Sequence, residues 1–497
     1  RFEFEKDGFR FYCFLDGYQE DDQTIRIFEV KATTSKKFLD MQFKNDEKDM
    51  IPLFGETKEG ILMLQEDLKY PVNDAYQKKK ERLKNRLTKE GRYIYDISYQ
   101  RFVLNQGIDS PKNIKYYLVV LNSDYIHEGL VNEKNEPIYT DDIIRFIDLT
   151  SLTHEMSSIM ERDTDLVIER LNLMQAAPVA LGAHCQRKDS RQCKFYPICY
   201  KHIPEKNSIF TYMGNHHGFK DEANEKHDRF DLINEGIIHA LDIPEHWITR
   251  ENNIIQRQVM VSETPYYHYE KIRRGIAMLK YPIYHLDFET FPCPLPRFKG
   301  EKPYSQSLFQ YSIHIEHAPG VCDKDKDNYS YIATKHTDLR KDLIENMLEV
   351  VKDDGGSIMV YNQSFEETRL KEMAKLYPEY SERLLDMTDR MFDLMFLLRG
   401  NKKMFMAAGF DEQEAKTINY YHNDLNGSFS IKKVLPLFSH LSYKGMGIAN
   451  GTEALVCYAR FPYMDEHTFE QKYQELLEYC KQDTWAMVEI LDKLRTL

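Results

Sequence analysis

The sequence predicts an α/β protein built of two domains. Three observations carry that expectation: the length, a mixture of strand-like and helix-like apolar patterns, and a restart of the pattern near residue 281. With 497 residues the chain is roughly three times a typical single domain, so at least two cores are expected. Hydrophobic residues make up 42% of it and charged residues 30%, which excludes a mostly disordered chain.

Taken in order, residues 9 to 31 read as a hairpin: "FRFYCFLDG" alternates, "YQEDDQ" is a polar turn, and "TIRIFEVKA" alternates again. Residues 61 to 90 look helical and charged, "YIYDISYQRFVL" reads as an amphipathic helix, and "IKYYLVVLN" as a buried strand. A long helical stretch is expected over about 152 to 177, followed by the cysteine segment 185 to 199 and loops rich in Gly, Asn and His. Residues 266–280 lack a clear period and read as a linker between a first domain at 1–265 and a second at 281–497. In the second, "YPIYHLDFET" and "SLFQYSIHI" are strands and "YSYIATK" is a third. "TDLRKDLIENMLEVV" is a helix and "GSIMVYN" a strand, with helices from there to the last, "TFEQKYQELLEYCKQDTWAMVEILDKL".

The longest apolar runs, such as that beginning at Tyr116, are strand-length and fall far short of the ~20 residues of a membrane helix. A soluble chain with no membrane partner is therefore expected. It opens without Met inside an alternating strand pattern and shows no basic-then-apolar leader, which suggests lost upstream residues and a cytoplasmic location. Eight cysteines are too sparse for a disulfide scaffold, in keeping with a reducing compartment. The formal charge of -13 argues against a general nucleic-acid coat, so any grip on a phosphodiester must be local. Candidate basic patches are Lys78 to Lys80 with Arg82, Lys84 and Arg86; Arg273 with Arg274; and Lys432 with Lys433.

Two sets of residues carry chemistry. Glu29 and Lys31, two apart on a predicted strand, should project from one face while Phe28 and Val30 pack the other. Asp16, at the preceding turn, can come level with Glu29. Two hard carboxylates can hold Mg²⁺ beside a scissile phosphate while the lysine orients water or stabilises developing charge. In the order aspartate, turn, "FEVKATTS", then a helix with Gln100, residues 9 to 104 resemble the RecB-like branch of the PD-(D/E)XK nucleases. Asp16, Glu29 and Lys31 stand at the motif positions and Gln100 at that of the helix glutamine.

The likeness extends to Cys185, Cys193 and Cys199, since iron-sulfur versions of that fold, CRISPR-associated exonucleases among them, place three such cysteines after the nuclease core and a fourth before it. No cysteine precedes Cys13, which is expected to be a core thiol. A [4Fe-4S] cluster would then take its fourth ligand from residues upstream of this chain, whereas zinc would take His184.

In "YHLDFETF", Asp287 and Glu289 share one strand face while Leu286 and Phe288 anchor the other. Paired carboxylates on a buried strand are costly without cations, so a divalent metal is the natural partner. "EYCKQD" puts Tyr479 and Asp483 on one helix face, and Asn362, Phe365 and Glu366 fall at a strand-to-helix start. Residues 281 to 497 thus resemble the DnaQ-like, or DEDD, 3'-5' exonucleases of the ribonuclease H-like fold. Glu366 replaces the usual aspartate of the middle motif, Tyr479 marks the tyrosine subtype, and Asp393 in "MFDLM" is assigned a structural role.

The resemblances imply a PD-(D/E)XK domain followed by a ribonuclease H-like domain, a fusion of the kind found in an uncharacterised bacterial family. They imply a Mg²⁺- or Mn²⁺-dependent hydrolase of phosphodiester bonds, with a 3'-5' exonuclease acting on single-stranded DNA in the second domain. The alternatives are a nucleic-acid-binding scaffold with one or both sites degenerate, or an RNA-trimming exonuclease.

Overall fold

A computed structural model describes residues 1–108, 110–173, 180–185 and 192–497. It is a mixed α/β structure of two compact units. The first comprises residues 1–184 with 293–305, and the second 185–292 with 306–497. The division therefore falls well before the expected linker. The reason is packing: Ile255, Val259 and Ile272 enter the same apolar core as Leu397, Tyr420 and Tyr421, and the short strand Tyr266–Tyr267 pairs with Tyr420–Tyr421. Segment 293–305 joins the first unit, where Tyr304 donates to the Ala32 carbonyl at 2.5 Å and His127 donates its backbone N–H to the carbonyl of Glu301 at 2.9 Å.

In the first unit, β1 (Phe2–Lys6) and β2 (Phe9–Cys13) form their own hairpin. The expected hairpin over 9 to 31 is thus corrected, because the partner of β4 (Thr24–Thr34) is β3 (Gly17–Glu20). Cys13 ends β2 and is buried, as a core thiol should be. The sheet continues through β5 (Phe54–Glu56), β6 (Leu62–Leu64), β7 (Asn113–Leu121) and β8 (Ile144–Asp148), in the order β3-β4-β7-β8-β6-β5. Only β4–β7 and β8–β6 are parallel. The stretch 61 to 90 is less helical than its charge suggested, with β6 first and then α1 (Asp74–Leu83). Helix α2 (Gly91–Gly107) contributes Ile94, Ile97, Val103 and Leu104 to the core that Ile25 and Ile27 share. The stretch from 152 is broken at Met156 into α3 (Thr150–Glu155) and α4 (Ser157–Asn172), and residues 174–177 lie outside those described.

The second unit is organised by a five-stranded sheet. Its strands are β9 (Ile283–Pro292), β10 (Gln306–Glu316), β11 (Asn328–Ile332), β12 (Ile358–Val360) and β13 (Met391–Asp393), in the order β11-β10-β9-β12-β13. The β11–β10 and β10–β9 pairings are antiparallel, while the β9–β12 and β12–β13 pairings are parallel. A strand at β13 was not foreseen, because three residues are too few to show a period. Tyr284, Leu286 and Phe288 enter a core with Leu343, Ile344 and Met347 of α5 (Arg340–Val350) and Leu370 and Met373 of α6 (Ser364–Leu376). The opposite face of β9 carries His285, Asp287 and Glu289 towards the C-terminal helix α9 (Glu466–Arg495). Between them in sequence lie α7 (Ile431–Phe438) and α8 (Gly451–Arg460).

Polar contacts pin α9 at four-residue intervals. The Leu476 carbonyl accepts from Gln310 Nε2 at 2.8 Å, Cys480 reaches Asp287, and Thr484 Oγ1 lies 2.7 Å from His314 Nδ1. This spacing turns the face with Tyr479, Cys480 and Asp483 onto the strand.

Candidate metal centre

Single oxygens of Asp287, Glu289 and Asp483 all lie within 4.8 Å of one another, and this is the one such grouping of potential metal ligands among the described residues. Asp287 and Glu289 come together because they are two apart on β9. The register with β10 shifts between Glu289 and Thr290, a bulge of the kind that re-aims side chains beside functional sites. Asp483 arrives from α9, one turn after Tyr479.

Glu366, on the first turn of α6, is buried, and its Oε2 has no hydrogen-bond partner. Its charge acts on both Asp287 and Glu289. The turn that delivers it is held by Asp393, whose carboxylate accepts backbone N–H groups of Asn362 at 3.1 Å, Gln363 at 3.0 Å and Met395 at 3.0 Å. Asn362 sits there with φ of 76°, a left-handed conformation that asparagine tolerates better than most residues. Asp393 thus has the structural role expected of it.

The electrostatics separate this cluster from an ordinary buried ion pair. Burial and the charges of Asp483, Glu289 and Glu366 push the Asp287 carboxyl well above its usual range. Burial raises Glu289 and Glu366 to about 8 each, and Asp483 to about 6. Glu316 is the contrast within the same unit. It is fully buried too, yet it accepts from His285 Nε2 at 3.2 Å, Arg495 Nη2 at 3.0 Å and the Gly320 N–H at 2.8 Å, and its pKa falls to about 2. A satisfied carboxylate stays ionised, whereas the cluster at Asp287 has fewer cations than carboxylates.

What the protein itself supplies there is modest. Tyr443 donates to Asp483 Oδ1 at 2.6 Å, the Cys480 thiol reaches Asp287 Oδ2 at 3.5 Å, and Tyr479 also bonds Asp483. Burial and the neighbouring carboxylates push both phenols far up, so they remain donors. Among the described residues the ammonium that acts on Glu289 and Asp483 is Lys432 of α7, which favours their ionised forms while donating to the Ala449 carbonyl at 2.6 Å. Lys432, with the Arg369 guanidinium acting on Glu366, against four carboxylates leaves a deficit of positive charge that hard divalent cations with oxygen preference would fill.

Tyr443, Cys480 and Lys432 were not assigned to the site from sequence. Lys432 was visible as half of a basic pair, Cys480 follows Tyr479 directly, and Tyr443 lies in a loop with no motif.

The first set is also brought together. Extending the β3–β4 pairing of Gly17 with Phe28 sets Asp16 opposite Glu29, and Asp16 Oδ2 accepts the Val30 N–H at 2.8 Å. Glu29 is buried, paired with Lys31 and bonded by Gln100 Nε2; Lys31 also reaches Asp96 at 2.9 Å. The face assignment differs from expectation. Glu29 shares the buried face with Ile25 and Ile27, Phe28 packs on Tyr117 across the sheet, and Val30 is exposed. The alternation held, but its two sides were exchanged.

The cysteines are free. Cys185 is half-buried, and Cys193 and Cys199 are exposed. They do not form a ligand grouping among the described residues, and the intervening 186–191 lie outside these. Of the basic patches, Lys80 is buried against Glu66 and Glu155, Arg86 pairs with Asp163, and Arg273 and Arg274 pair with Glu270. Those cations are engaged within the protein.

Residues 284–430 match a family described as "Domain of unknown function (DUF2779)". The matched segment carries Asp287, Glu289, Glu366 and Asp393 and ends before α9. The chain is similar to uncharacterized proteins of mollicutes: UU173 of Ureaplasma parvum, at 26% identity over 43% of this chain and 31% of that protein, and MG366 of Mycoplasma genitalium, at 28% over 44% and 33%. The MG366 homolog of Mycoplasma pneumoniae is 28% identical over 43% of this chain and 32% of its own. The chain thus spans about a third of the length of the curated relatives it matches. No solved structure matches it. Among the described residues no helix is long and apolar enough to cross a membrane.

Proposed function

We propose that the second unit is a metal-dependent 3'-5' exonuclease acting on single-stranded nucleic acid, with DNA the favoured substrate. The observation that carries the reading is the convergence of Asp287, Glu289 and Asp483 within 4.8 Å, with the unpartnered Glu366 beside them. The strand order β11-β10-β9-β12-β13, antiparallel then parallel, agrees with a ribonuclease H-like sheet. These four carboxylates would hold Mg²⁺ or Mn²⁺. Bound there, two such ions supply an activated water and neutralise charge on the attacked phosphate and the leaving oxygen.

The protein's own groups have separate tasks. Tyr443 and Tyr479 keep Asp483 ionised and oriented by donating to it. The Tyr479 phenol, held protonated, can also donate to a water or phosphate oxygen, but it is no base at neutral pH. Lys432 offers an ammonium to a phosphate oxygen. A second, separable phosphodiesterase site is proposed at Asp16, Glu29, Lys31 and Gln100, supported by the buried Glu29 between Lys31 and Gln100.

The test is cleavage of 5'-labelled single- and double-stranded DNA and RNA with Mg²⁺ or Mn²⁺. Shortening from the 3' end is expected in wild type, with loss of most of the rate in Asp287→Ala and Asp483→Ala. Glu366→Asp should retain activity and Glu366→Gln lose most of it. Unchanged trimming in both alanine variants would exclude the site.

A further inference from the structure

We propose that two adjoining cavities beside the carboxylate cluster form the path of a single strand, with Arg399 as its phosphate anchor; this rests on the exonuclease reading above. The first cavity, about 540 Å³, is walled by Tyr361 and Asn362 on one side and by Ser428 to Ile431 on another, with Arg399 at its rim. The second, about 610 Å³, continues from Asn362 and Arg399 to Asn401 and Lys403. Both volumes fall in the range of small-ligand sites.

Three observations place this path against the site. First, the walls are the segments that build the cluster: Tyr361 and Asn362 lead into the helix with Glu366, and Ile431 precedes Lys432, whose charge reaches Glu289 and Asp483. The two walls are tied together where Tyr361 donates to the Phe429 carbonyl at 2.6 Å.

Second, the cations here have no close partner, the Arg399 charge acting only at longer range on Asp393. Arg399 and Lys403 are exposed and have no hydrogen-bond or ion-pair partner among the described residues, unlike Lys80, Arg86, Arg273 and Arg274. In a chain of net charge -13, an exposed guanidinium shared by two cavities and without a hydrogen-bonded partner is the local grip that a phosphodiester would need. Third, the lining suits a sugar-phosphate backbone. The first cavity has no carboxylate among its lining residues, and it offers the Asn362 amide, the Ser428 and Ser430 hydroxyls and the apolar Phe429 and Met395, while the two carboxylates of the second are engaged, Glu367 with Lys371 and Asp393 with backbone N–H groups. A larger cavity of about 900 Å³ sets three carboxylates, Glu251, Asp411 and Glu412, against Arg250 and Lys416.

The recognised chemistry is a phosphodiester, common to DNA and RNA, so both are used as 5'-labelled 12-nucleotide probes. Arg399→Gln should raise KM by about 10-fold, with kcat moving far less. Loss of one phosphate contact should also flatten the dependence of log KM on log salt by about 0.7. Arg399→Lys should recover part of the affinity. The defect should shrink on a dinucleotide that ends before Arg399, an outcome that a folding defect would not give. Arg273→Gln, which breaks a pair with Glu270, is the control and should match wild type.

An unchanged KM and salt slope in Arg399→Gln, or an equal defect on the dinucleotide, would overturn the proposal. If wild type cleaves no probe, anisotropy with the same oligonucleotides in Ca²⁺ separates the two readings. Binding weakened by Arg399→Gln keeps the strand path while the exonuclease falls, and no binding removes both. Preference for one sugar identifies which nucleic acid the path takes.

Discussion

Tyr443 Oη donates a 2.6 Å hydrogen bond to Asp483 Oδ1, joining a loop residue without a motif to the one carboxylate of the cluster that comes from the last helix. The contact holds Asp483 in one orientation and favours its ionised form, as hydrogen bonds to a carboxylate do.

Tyr443→Phe is therefore expected to weaken the metal site without removing a ligand. Loss of such a supporting partner commonly costs about 10- to 100-fold in metal affinity or activity. Measured as cleavage rate against Mn²⁺ concentration, the variant should need more metal to reach half its maximum, and the acid limb of its pH profile should move up. An unchanged metal titration would show that Tyr443 only fills space.

The raised carboxyls predict how the metal-free protein responds to pH. Glu289 and Glu366 lie at about 8 in the fold against an ordinary 4.5, and Asp483 at about 6 against 3.8. The folded chain therefore holds protons that the unfolded chain releases first. Their stabilising contribution is complete below the ordinary values and is lost as pH rises towards about 8 for the two glutamates. In EDTA, Tm should fall across this window, and the Tm gain on adding Mg²⁺ should grow with pH. Glu366→Gln removes one of these carboxyls, so its metal-free Tm should fall less steeply. A parallel Tm profile for the variant and wild type would contradict the assignment.

Much of this was legible because periodicity and motif coincided. Asp287 and Glu289 alternate with Leu286 and Phe288, and the structure uses both faces as the pattern dictates. Tyr479 and Asp483 needed only the helical repeat. The residues of the first set lie together, but on the face opposite to that expected, since "IRIFEVKA" alternates whichever side is buried, and the covering helix α2 decides. The unit boundary was illegible for another reason. Residues 251–276 are short pieces whose apolar side chains meet partners more than a hundred positions away, such as Ile272 with Leu397, and no local period records that.

The cysteine segment gives a prediction of a different kind. Cys185, Cys193 and Cys199 are free thiols, two of them exposed and so accessible to a metal ion. We expect protein purified anaerobically to carry one metal centre at this segment. Iron with labile sulfide would indicate a [4Fe-4S] cluster, and zinc alone would indicate His184. Elemental analysis finding neither metal would refute the centre. Its loss in Cys193→Ser, with the Mg²⁺ response at Asp287 retained, would show that the two sites are independent.

The last prediction concerns Lys31, which sits between Glu29 and Asp96. Two carboxylates claim one ammonium, and desolvation, which opposes its charge, is outweighed, so its pKa is raised. Such a lysine is cationic at neutral pH and suited to stabilising a phosphate's developing charge, and unsuited to acting as a base. Gln100 bonds Glu29 from the covering helix and Asp16 is held by the Val30 N–H, so the constellation is already positioned. If it is a nuclease centre, Asp287→Ala protein should keep a residual metal-dependent cleavage, and Lys31→Ala in that background should abolish it. Lys31→Arg keeps the charge but not the compact ammonium and should restore little. Residual cleavage that survives Lys31→Ala would move the activity elsewhere. Absence of any residual cleavage in Asp287→Ala would leave Glu29, Lys31 and Asp96 as an ion-pair network, buried at Glu29 and exposed at Asp96, that holds α2 to β4.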